Sequence, residues 1–253
     1  MLRSMNELCG YSIAAPDGEM GQVDDFFFDD EKWTIRYLIV KSGSWFLAKK
    51  VLLSPAAFAG EPDWMNKIFP VRLSRDDIKQ SPDIDTEKPV SRQKELELMR
   101  YYNWPVYWYG PNPELLGTSN VPPAHVSAEE MEAISKTATE DEDDTHLRSV
   151  KHVSGYAIHA QDGDIGHVKD FIIDDSTWII RYLVVDTRNW LPGKKVIISP
   201  HWIESVKWVD STVSVKMKKD EVKNCPEYDH NEPVNREYEE RLYDYYGRPK
   251  YWL

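Results

Sequence analysis

Histidines in the second half of the chain are the residues best suited to a metal site or a general base. The four considered as candidates are His152, His159, His167 and His201. His159 and His167 flank the dipeptide Asp162-Gly163, so a transition-metal pair across that turn, and with it a metal-dependent enzyme, is one hypothesis. The corresponding positions of the first half hold Glu7, Ala14, Gln22 and Ala56. We therefore expect surface histidines and predict no metal ligand.

Paired carboxylates are the second kind of residue that could carry chemistry. Asp29-Asp30 and Asp174-Asp175 are sequence neighbours, which point to opposite faces of a strand and cannot work as an acid/base pair unless the chain turns. We assign them to turns, where Asp accepts hydrogen bonds from the following backbone. Asp162-Gly163-Asp164 resembles half of a calcium loop but lacks the later acidic ligands of an EF-hand. With no recurring catalytic triad and no glycine-rich phosphate loop, we predict no enzyme and no cofactor.

Two arginines interrupt apolar strand sequences. Arg36 and Arg181 each lie in the tetrapeptide Ile-Arg-Tyr-Leu. A buried guanidinium needs a carboxylate partner, and Asp25 and Asp170 lie on the strand that we expect beside each arginine. We therefore predict two structural pairs, Arg36 with Asp25 and Arg181 with Asp170.

Aromatic residues cluster near the end of each half. They are Trp104, Tyr107, Trp108 and Tyr109, and then Tyr251 and Trp252. Such clusters either pack on their own domain or anchor a partner protein. We favour self-packing because the clusters occur at equivalent places, and we keep partner docking as the alternative.

The sequence repeats itself over most of its length. The offset between matching residues is 145 and, after a slip of one residue, 144. Matching pairs at the start, middle and end are Gly10-Tyr11 with Gly155-Tyr156, Ser54-Pro55 with Ser199-Pro200, and Tyr107-Trp108 with Tyr251-Trp252. The sequence therefore predicts two copies of one module of about a hundred residues.

Each copy has the pattern of a small β domain. An Asp-Gly hairpin turn is followed by runs of β-branched and aromatic residues. The runs span 35–40, 50–53 and 69–73 in the first copy and 180–185, 195–198 and 212–217 in the second. Proline in the Ser-Pro pairs ends a strand because it cannot donate to the ladder. Five or six such strands suit a small antiparallel β-barrel, whose closure removes exposed edges.

A helical arm is expected after each barrel. Ser91 and Asn235 are suitable N-caps, and apolar residues follow them at helical spacing. The helices should end near Asn103 and Gly247, because a proline follows two residues later in both copies. The predicted fold is mainly β, with two barrels and their arms related by pseudo-two-fold symmetry as an intramolecular pseudo-dimer.

An acidic linker separates the two copies. Residues 111–149 hold nine acidic and two basic side chains, with proline and small polar residues. The predicted domains are therefore residues 1–110, a linker at 111–149, and residues 150–253. We expect proteolysis in the linker to release two folded halves.

Charge and composition narrow the class of protein. A net charge of −12 with no strongly basic segment argues against nucleic-acid binding. Cys9 and Cys225 form no CxxC motif, and no apolar run is long enough for a signal peptide or a membrane span. We expect a soluble cytoplasmic protein.

The repeated motifs resemble the PRC-barrel family. They are a Gly-Tyr opening, the hairpin Asp-Gly-x-x-Gly-x-Val-x-Asp-Phe, the strand Trp-x-Ile-Arg-Tyr-Leu-x-Val and the ending Lys-Val-x-x-Ser-Pro. The family is named for the cytoplasmic domain of the photosynthetic reaction centre H subunit, and it includes the C-terminal domain of a bacterial 16S rRNA maturation factor. The resemblance implies a β-barrel used for contacts with proteins or membrane-associated complexes.

The sequence thus favours a non-catalytic interaction module whose protein partner it does not identify. A soluble relative of the reaction centre H subunit, acting in photosynthetic or electron-transfer complexes, is one alternative. A ribosome-maturation adaptor is another, and the metal-dependent enzyme built on the second-copy histidines is the third.

Overall fold

A computed structural model describes residues 1–42, 50–82, 85, 90–108, 146–187 and 194–253. The chain divides into an N-terminal unit, residues 8–149 with 176–179, and a C-terminal unit, residues 1–7 with 150–175 and 180–253. This division departs from the predicted domains because each unit takes a short segment from the opposite half of the sequence. Most of the predicted linker, residues 111–145, and the aromatic residue Tyr109 lie outside the described residues.

Both units are rich in short strands. In chain order the strands are β1 (Leu2–Ser4), β2 (Ser12–Ala15), β3 (Gly18–Asp29), β4 (Thr34–Ser42), β5 (Lys50–Leu53), β6 (Ile68–Pro70), β7 (Leu147–Ser149), β8 (Ala157–Ala160), β9 (Gly163–Asp174), β10 (Ile180–Asp186), β11 (Lys195–Ile198), β12 (Ile203–Lys207) and β13 (Thr212–Val215). The mainly β prediction is confirmed.

Helices occupy equivalent positions in the two halves. They are α1 (Met5–Leu8), α2 (Arg75–Lys79), α3 (Arg92–Tyr102), α4 (Val150–Val153), α5 (Lys219–Asn224) and α6 (Arg236–Tyr246), with single 3₁₀ turns at Pro55–Ala57 and Pro200–Trp202. Among the described residues, none of these helices is long and apolar enough to cross a lipid bilayer.

Each unit contains one sheet. The order is β5-β4-β3-β2-β6 in the N-terminal unit, with β7 beside β3, and β11-β10-β9-β8-β13-β12 in the C-terminal unit, with β1 beside β9. The pairs β2 with β6 and β8 with β13 are parallel, and the other pairs are antiparallel. The prediction of antiparallel barrels needs correction for the described residues, where each sheet contains one parallel pair and its strands form an open path.

Glycine allows the long strand of each sheet to approach its neighbour closely. Gly21 has φ +147°, and a Cβ there would lie 2.2 Å from the carbonyl oxygen of Lys41 on β4. Gly166 is in the same situation, with a Cβ position 2.0 Å from the carbonyl oxygen of Asp186. Because a side chain would collide with backbone at both places, the second glycine of the hairpin motif is required by packing.

The first strand of each half pairs with the sheet of the other half. Strand β1 lies antiparallel to the end of β9, with Leu2 opposite Asp174 and Ser4 opposite Ile172. Strand β7, which precedes the second copy, lies in the same way against the end of β3 in the N-terminal unit. The halves therefore exchange strands, an arrangement that strands of three residues have no periodicity to predict.

A second exchanged segment completes the N-terminal unit. Trp178 is buried there, with its ring 5.5 Å from that of Phe58 and 6.0 Å from that of Phe69. The backbone of the same segment pairs with β4, because Ile35 donates to the carbonyl oxygen of Trp178 at 2.8 Å. Trp178 has φ +61°, a left-handed conformation that a bulky residue adopts only where its surroundings enforce it. A tryptophan from the second copy therefore fills the core of the first.

The arm helices begin and end where the sequence predicted. Ser91 accepts a hydrogen bond from the backbone N–H of Lys94, and Asn235 accepts one from Tyr238. Asn103 and Gly247 end the helices in the left-handed conformation, with φ of 54° and 59°. These positions confirm the predicted caps.

Candidate functional site

The arm of the N-terminal unit packs against the sheet of the same unit. Helix α3 contributes Leu96 and Met99 to a core that also contains Tyr37 of β4 and Leu52 of β5. The chain after the helix adds Trp104, Val106 and Tyr107 to that core. The arm therefore covers an apolar face of the sheet, as an amphipathic helix does.

A carboxylate is buried at the centre of this junction. Glu95 of α3 is 0% exposed, and its Oε2 accepts hydrogen bonds from the hydroxyls of Tyr37 at 3.1 Å and Tyr107 at 2.8 Å. Its Oε1 lies 3.1 Å from Nε2 of His146 and 3.8 Å from a guanidinium nitrogen of Arg92. We call these five residues the arm cluster. Through the buried carboxylate of Glu95, the arm cluster connects helix α3 with β4, with the aromatic segment that follows the helix, and with the residue before β7.

Burial and the glutamate together hold the two tyrosines in their neutral form. The pKa of Tyr37 is raised well above its ordinary value, first by burial and then by the negative charge of Glu95. The pKa of Tyr107 is raised for the same reasons. Both hydroxyls therefore act as donors to the carboxylate, and an acid/base role at neutral pH is disfavoured.

The C-terminal unit has a corresponding cluster without a histidine. Glu239 of α6 is buried and accepts hydrogen bonds at Oε1 from Tyr182 at 2.6 Å and Tyr251 at 2.8 Å. Arg236 forms an ion pair with its Oε2 at 3.0 Å. At the position that corresponds to His146 by the offset of 145, the chain has Met1. The histidine is therefore specific to the arm cluster of the N-terminal unit.

Arginines and aromatic rings alternate outward from each cluster. In the N-terminal unit, the guanidinium of Arg36 lies 4.0 Å from the centre of the Tyr107 ring, and that of Arg92 lies 4.0 Å from the centre of the Trp108 ring. Contacts of this kind stabilise by about 0.5–2 kcal/mol each, depending on how far water is excluded. They fix the end of the arm against the sheet.

The same stack is present in the C-terminal unit. Arg181 lies 4.2 Å from the ring centre of Tyr251, and Arg236 lies 4.1 Å from that of Trp252. Trp252 also contacts Tyr243 of α6, with ring centres 5.0 Å apart. In both arms, a tryptophan near the end, Trp108 or Trp252, therefore makes a cation–π contact with an arginine of the arm helix.

The predicted arginine pairs need correction. Arg36 pairs with Asp29 at 3.2 Å, and Arg181 pairs with Asp174 at 3.2 Å, instead of with Asp25 and Asp170. The reason is a β-bulge, because Tyr37 and Ile35 face the consecutive residues Phe27 and Phe28 and leave Arg36 as the extra residue. The bulge directs Arg36 toward the end of β3, and the second half has the same register shift around Arg181.

Asp25 and Asp170 have other partners. Asp25 accepts a hydrogen bond from the hydroxyl of Ser149 on β7 at 2.5 Å, and Asp170 accepts one from Ser4 on β1 at 2.5 Å. Burial raises the pKa of Asp170, although the hydroxyl of Ser4 counteracts this shift. These carboxylates bind the exchanged strands.

The candidate docking residues differ in exposure. Trp104 and Tyr107 are buried in the N-terminal unit, so their rings are occupied by contacts within the chain. Trp108, Tyr251 and Trp252 are half-buried and present part of each ring at the surface. We therefore call Trp104 and Tyr107 the inner aromatic residues, and Trp108, Tyr251 and Trp252 the outer aromatic residues.

The candidate metal and calcium residues are not brought together. His167 lies opposite Ala157, whereas His159 lies opposite Asp164 and contacts its carboxylate at 2.5 Å, so the two histidines do not face each other. Asp162, the first residue of the calcium-like sequence, accepts a hydrogen bond from the backbone of Lys219 at 2.8 Å. Within the described ranges, no three His, Cys, Asp or Glu side chains are grouped as a metal site would require.

A comparison with known protein families gives a match for part of the chain. A family model of the PRC-barrel domain matches residues 155–222. The PRC-barrel match runs from just before β8 to within α5, so it contains strands β8 to β13 of the C-terminal sheet, and it leaves out β1 and the arm helix α6. It covers one copy, and residues 10–78, which carry the corresponding motifs, lie outside it. No curated protein matches the chain.

The arm clusters were missed by sequence reasoning. Glu95 and Glu239 lie among other charged residues of their helices, in Lys-Glu-Leu-Glu and Tyr-Glu-Glu-Arg. The available signal was their recurrence at the offset of 144, combined with a tyrosine in each Ile-Arg-Tyr-Leu strand. The tripeptide Leu-Arg-Ser also recurs at the offset of 145, at residues 2–4 and 147–149.

Proposed function

We propose that the chain is a non-catalytic adaptor built from two PRC-type copies, which binds a protein partner through Trp108, Tyr251 and Trp252. The PRC-barrel domain is generally a non-catalytic module, and one such domain matches this chain. The observation that supports the choice of surface is the stacking of each outer tryptophan on an arginine. Binding surfaces concentrate their energy in rigid aromatic and arginine residues of this kind.

The arm clusters supply the rigidity that such a surface needs. Arg92 and Arg236 hold the outer tryptophans, and each also lies beside a buried glutamate. Side chains that are fixed before binding lose less entropy when a partner arrives. The buried carboxylates therefore have a structural role in this proposal, with no substrate in contact with them.

The proposal is tested by capture of partners from the native host with a matched control. The double variant Trp108→Ala/Trp252→Ala removes the outer rings, and Trp64→Ala/Trp208→Ala removes the half-buried tryptophans of the two hairpins that precede β6 and β13. We expect quantitative mass spectrometry to show that a protein bound by the unmodified chain is lost at least about tenfold with the first pair and retained with the second. Equal recovery with both pairs would contradict the proposal.

A further inference from the structure

The C-terminal unit contains a cleft at the place where the N-terminal unit packs its core. The cleft has a volume of about 220 Å³ and is lined by strand β1 and by residues of the segment that precedes helix α6. Leu2 and Val234 line it and are half-buried. Their counterparts in the N-terminal unit, Leu147 and Val90, are 6% and 1% exposed in one apolar core. Because protein interiors are closely packed, an open cleft at this place is a candidate ligand site.

Tyr228 lines this cleft with a hydroxyl that makes no hydrogen bond to any described residue. The backbone N–H of Tyr228 donates to the carbonyl oxygen of Lys195 at 2.9 Å, which fixes the segment to β11. The residue is 8% exposed. A hydroxyl on a side chain buried this deeply ordinarily has a partner, because leaving it unpaired costs free energy. The hydroxyl of Tyr228 is therefore available to a ligand in the cleft.

Two carboxylates that line the cleft are available in the same way. Within the described part of the chain, the carboxylates of Glu7 and Glu232 form no hydrogen bond and no ion pair. Burial, followed by the negative charges of Asp170 and Glu7, raises the pKa of Tyr228 to about 12. The contribution of these charges indicates a negative potential at the tyrosine hydroxyl.

The arginine and the ammonium group that line the cleft are already paired. Arg3 and the ammonium group of Met1 both bind the carboxylate of Asp175, the arginine at 2.6 Å. The corresponding arginine pair of the N-terminal unit is Arg148 with Asp30, at 2.8 Å. The charged groups left to meet a ligand are therefore acidic, which favours a cation over an anion.

The polar groups of the cleft belong to one half of the sequence. By the offsets of 145 and 144, the residues that correspond to Glu7, Tyr228 and Glu232 are His152, Ile84 and Lys88. These counterparts include no carboxylate and no hydroxyl. The architecture shared by the two copies therefore does not require the polar groups of the cleft.

We propose that this cleft binds a primary alkylammonium ion, the charged form of a small aliphatic amine. The ammonium group donates hydrogen bonds to the hydroxyl oxygen of Tyr228 and to the carboxylate of Glu7, and the alkyl chain lies against Leu2, Ile172 and Val234. At ~30 Å³ for each water, the cleft has room for about seven waters, which is close to the size of pentylammonium. None of the outer aromatic residues lines the cleft, so the inference does not depend on the adaptor function.

Calorimetric titration of the full chain with pentylammonium chloride tests the proposal. Pentan-1-ol and pentanoate have the same chain length and serve as neutral and anionic comparisons. We expect saturable binding of one pentylammonium ion, at least about tenfold tighter than binding of the alcohol, because a charged donor makes the stronger hydrogen bonds. N-acetyl-lysinamide carries the same ammonium group on a peptide unit. If it binds more tightly than pentylammonium, the ammonium chemistry holds and the ligand is a lysine side chain of a protein.

Two variants locate the binding in the cleft. Tyr228→Phe removes the hydroxyl and Glu7→Gln removes the charge, while Tyr245→Phe and Glu204→Gln are matched controls on exposed residues outside the cleft. Since the hydroxyl of Tyr228 bonds to no described residue, we expect Tyr228→Phe to keep the melting temperature of the ligand-free chain. We expect each cleft variant to weaken pentylammonium binding at least about fivefold, and each control to weaken it less than about twofold.

Three results would overturn the proposal. They are the absence of saturable pentylammonium binding, equal affinity for pentylammonium and pentan-1-ol, and affinity that neither cleft variant lowers more than its control. The last result would show that the cation is attracted by the net charge of −12 and not by the cleft.

Discussion

At the scale of single residues, buried charged side chains hold neighbouring segments of the chain together. Arg36 interrupts an apolar strand because it pairs with Asp29 on one side and lies against the ring of Tyr107 on the other. Sequence reasoning recognised that Arg36 needed a carboxylate. It named the wrong carboxylate because a β-bulge shifts the register by one residue, and a bulge has no reliable signature in one sequence.

Substitution of the two arginines should distinguish their environments. Arg36 and Asp29 are 3% and 4% exposed, whereas Arg181 and Asp174 are 16% and 20% exposed. We expect Arg36→Leu to lower the free energy of unfolding by about 3–5 kcal/mol, because it leaves a buried carboxylate without its cation. For Arg181→Leu we expect about 1 kcal/mol, since water reaches that pair. Chemical denaturation measures both, and equal losses would contradict the difference in burial.

The buried tyrosines should make the protein sensitive to alkali. The pKa of Tyr37 and that of Tyr107 are raised above the ordinary value of 10, and the pKa of Tyr228 is raised to about 12. Above pH 10 the unfolded chain releases these protons while the folded chain retains them, so the free energy of unfolding falls as the pH rises.

Tyrosinate absorbance checks this expectation, with the chain in denaturant as the control. We expect the buried hydroxyls to ionise together with the loss of circular dichroism, and those of the denatured chain to ionise near pH 10. Complete ionisation near pH 10 with an intact fold would show that the tyrosines are accessible.

At the scale of elements, the arms were predictable and the exchanged strands were not. Ser91, Asn103, Asn235 and Gly247 act as caps because their side chains or conformational freedom satisfy helix ends locally, so the sequence is sufficient to locate them. Strands of three residues such as β1 and β7 have no periodicity to detect, and their pairing with β9 and β3 is a long-range event. The order of strands in the open sheets, with one parallel pair in each, is likewise set by long-range pairing that short sequence patterns do not predict.

Truncation of the arm tryptophans should cost stability in proportion to their burial. Trp104 is 8% exposed and packs in the core of the N-terminal unit, so we expect Trp104→Ala to cost about 3–5 kcal/mol. Trp252 is half-buried, so we expect Trp252→Ala to cost roughly half of the loss at Trp104. Thermal unfolding of the two variants ranks them. A larger loss for Trp252→Ala would show that the end of the second arm is buried more deeply than the structure describes.

At the scale of the whole molecule, each unit is assembled from both halves of the sequence. Residues 1–7 complete the C-terminal unit, and residues 146–149 and 176–179 belong to the N-terminal unit. The sequence suggested two independent domains because the repeat and the acidic segment can be read directly from the order of residues. The pairing of a strand with the sheet of the other repeat is a long-range contact, and the order of residues does not indicate it. The exchanged strands and Trp178 therefore change the expected result of cutting the chain in two.

Cleavage of the chain between its halves tests this account most directly. A protease recognition sequence inserted within residues 111–145 allows a single cut without altering any described residue. We predict that the two fragments stay associated after the cut and have the mass of the whole chain by light scattering. They should separate only when Arg3→Asp and Arg148→Asp weaken both exchanged strands. Two folded fragments that separate without those substitutions would contradict the exchange of strands between the halves.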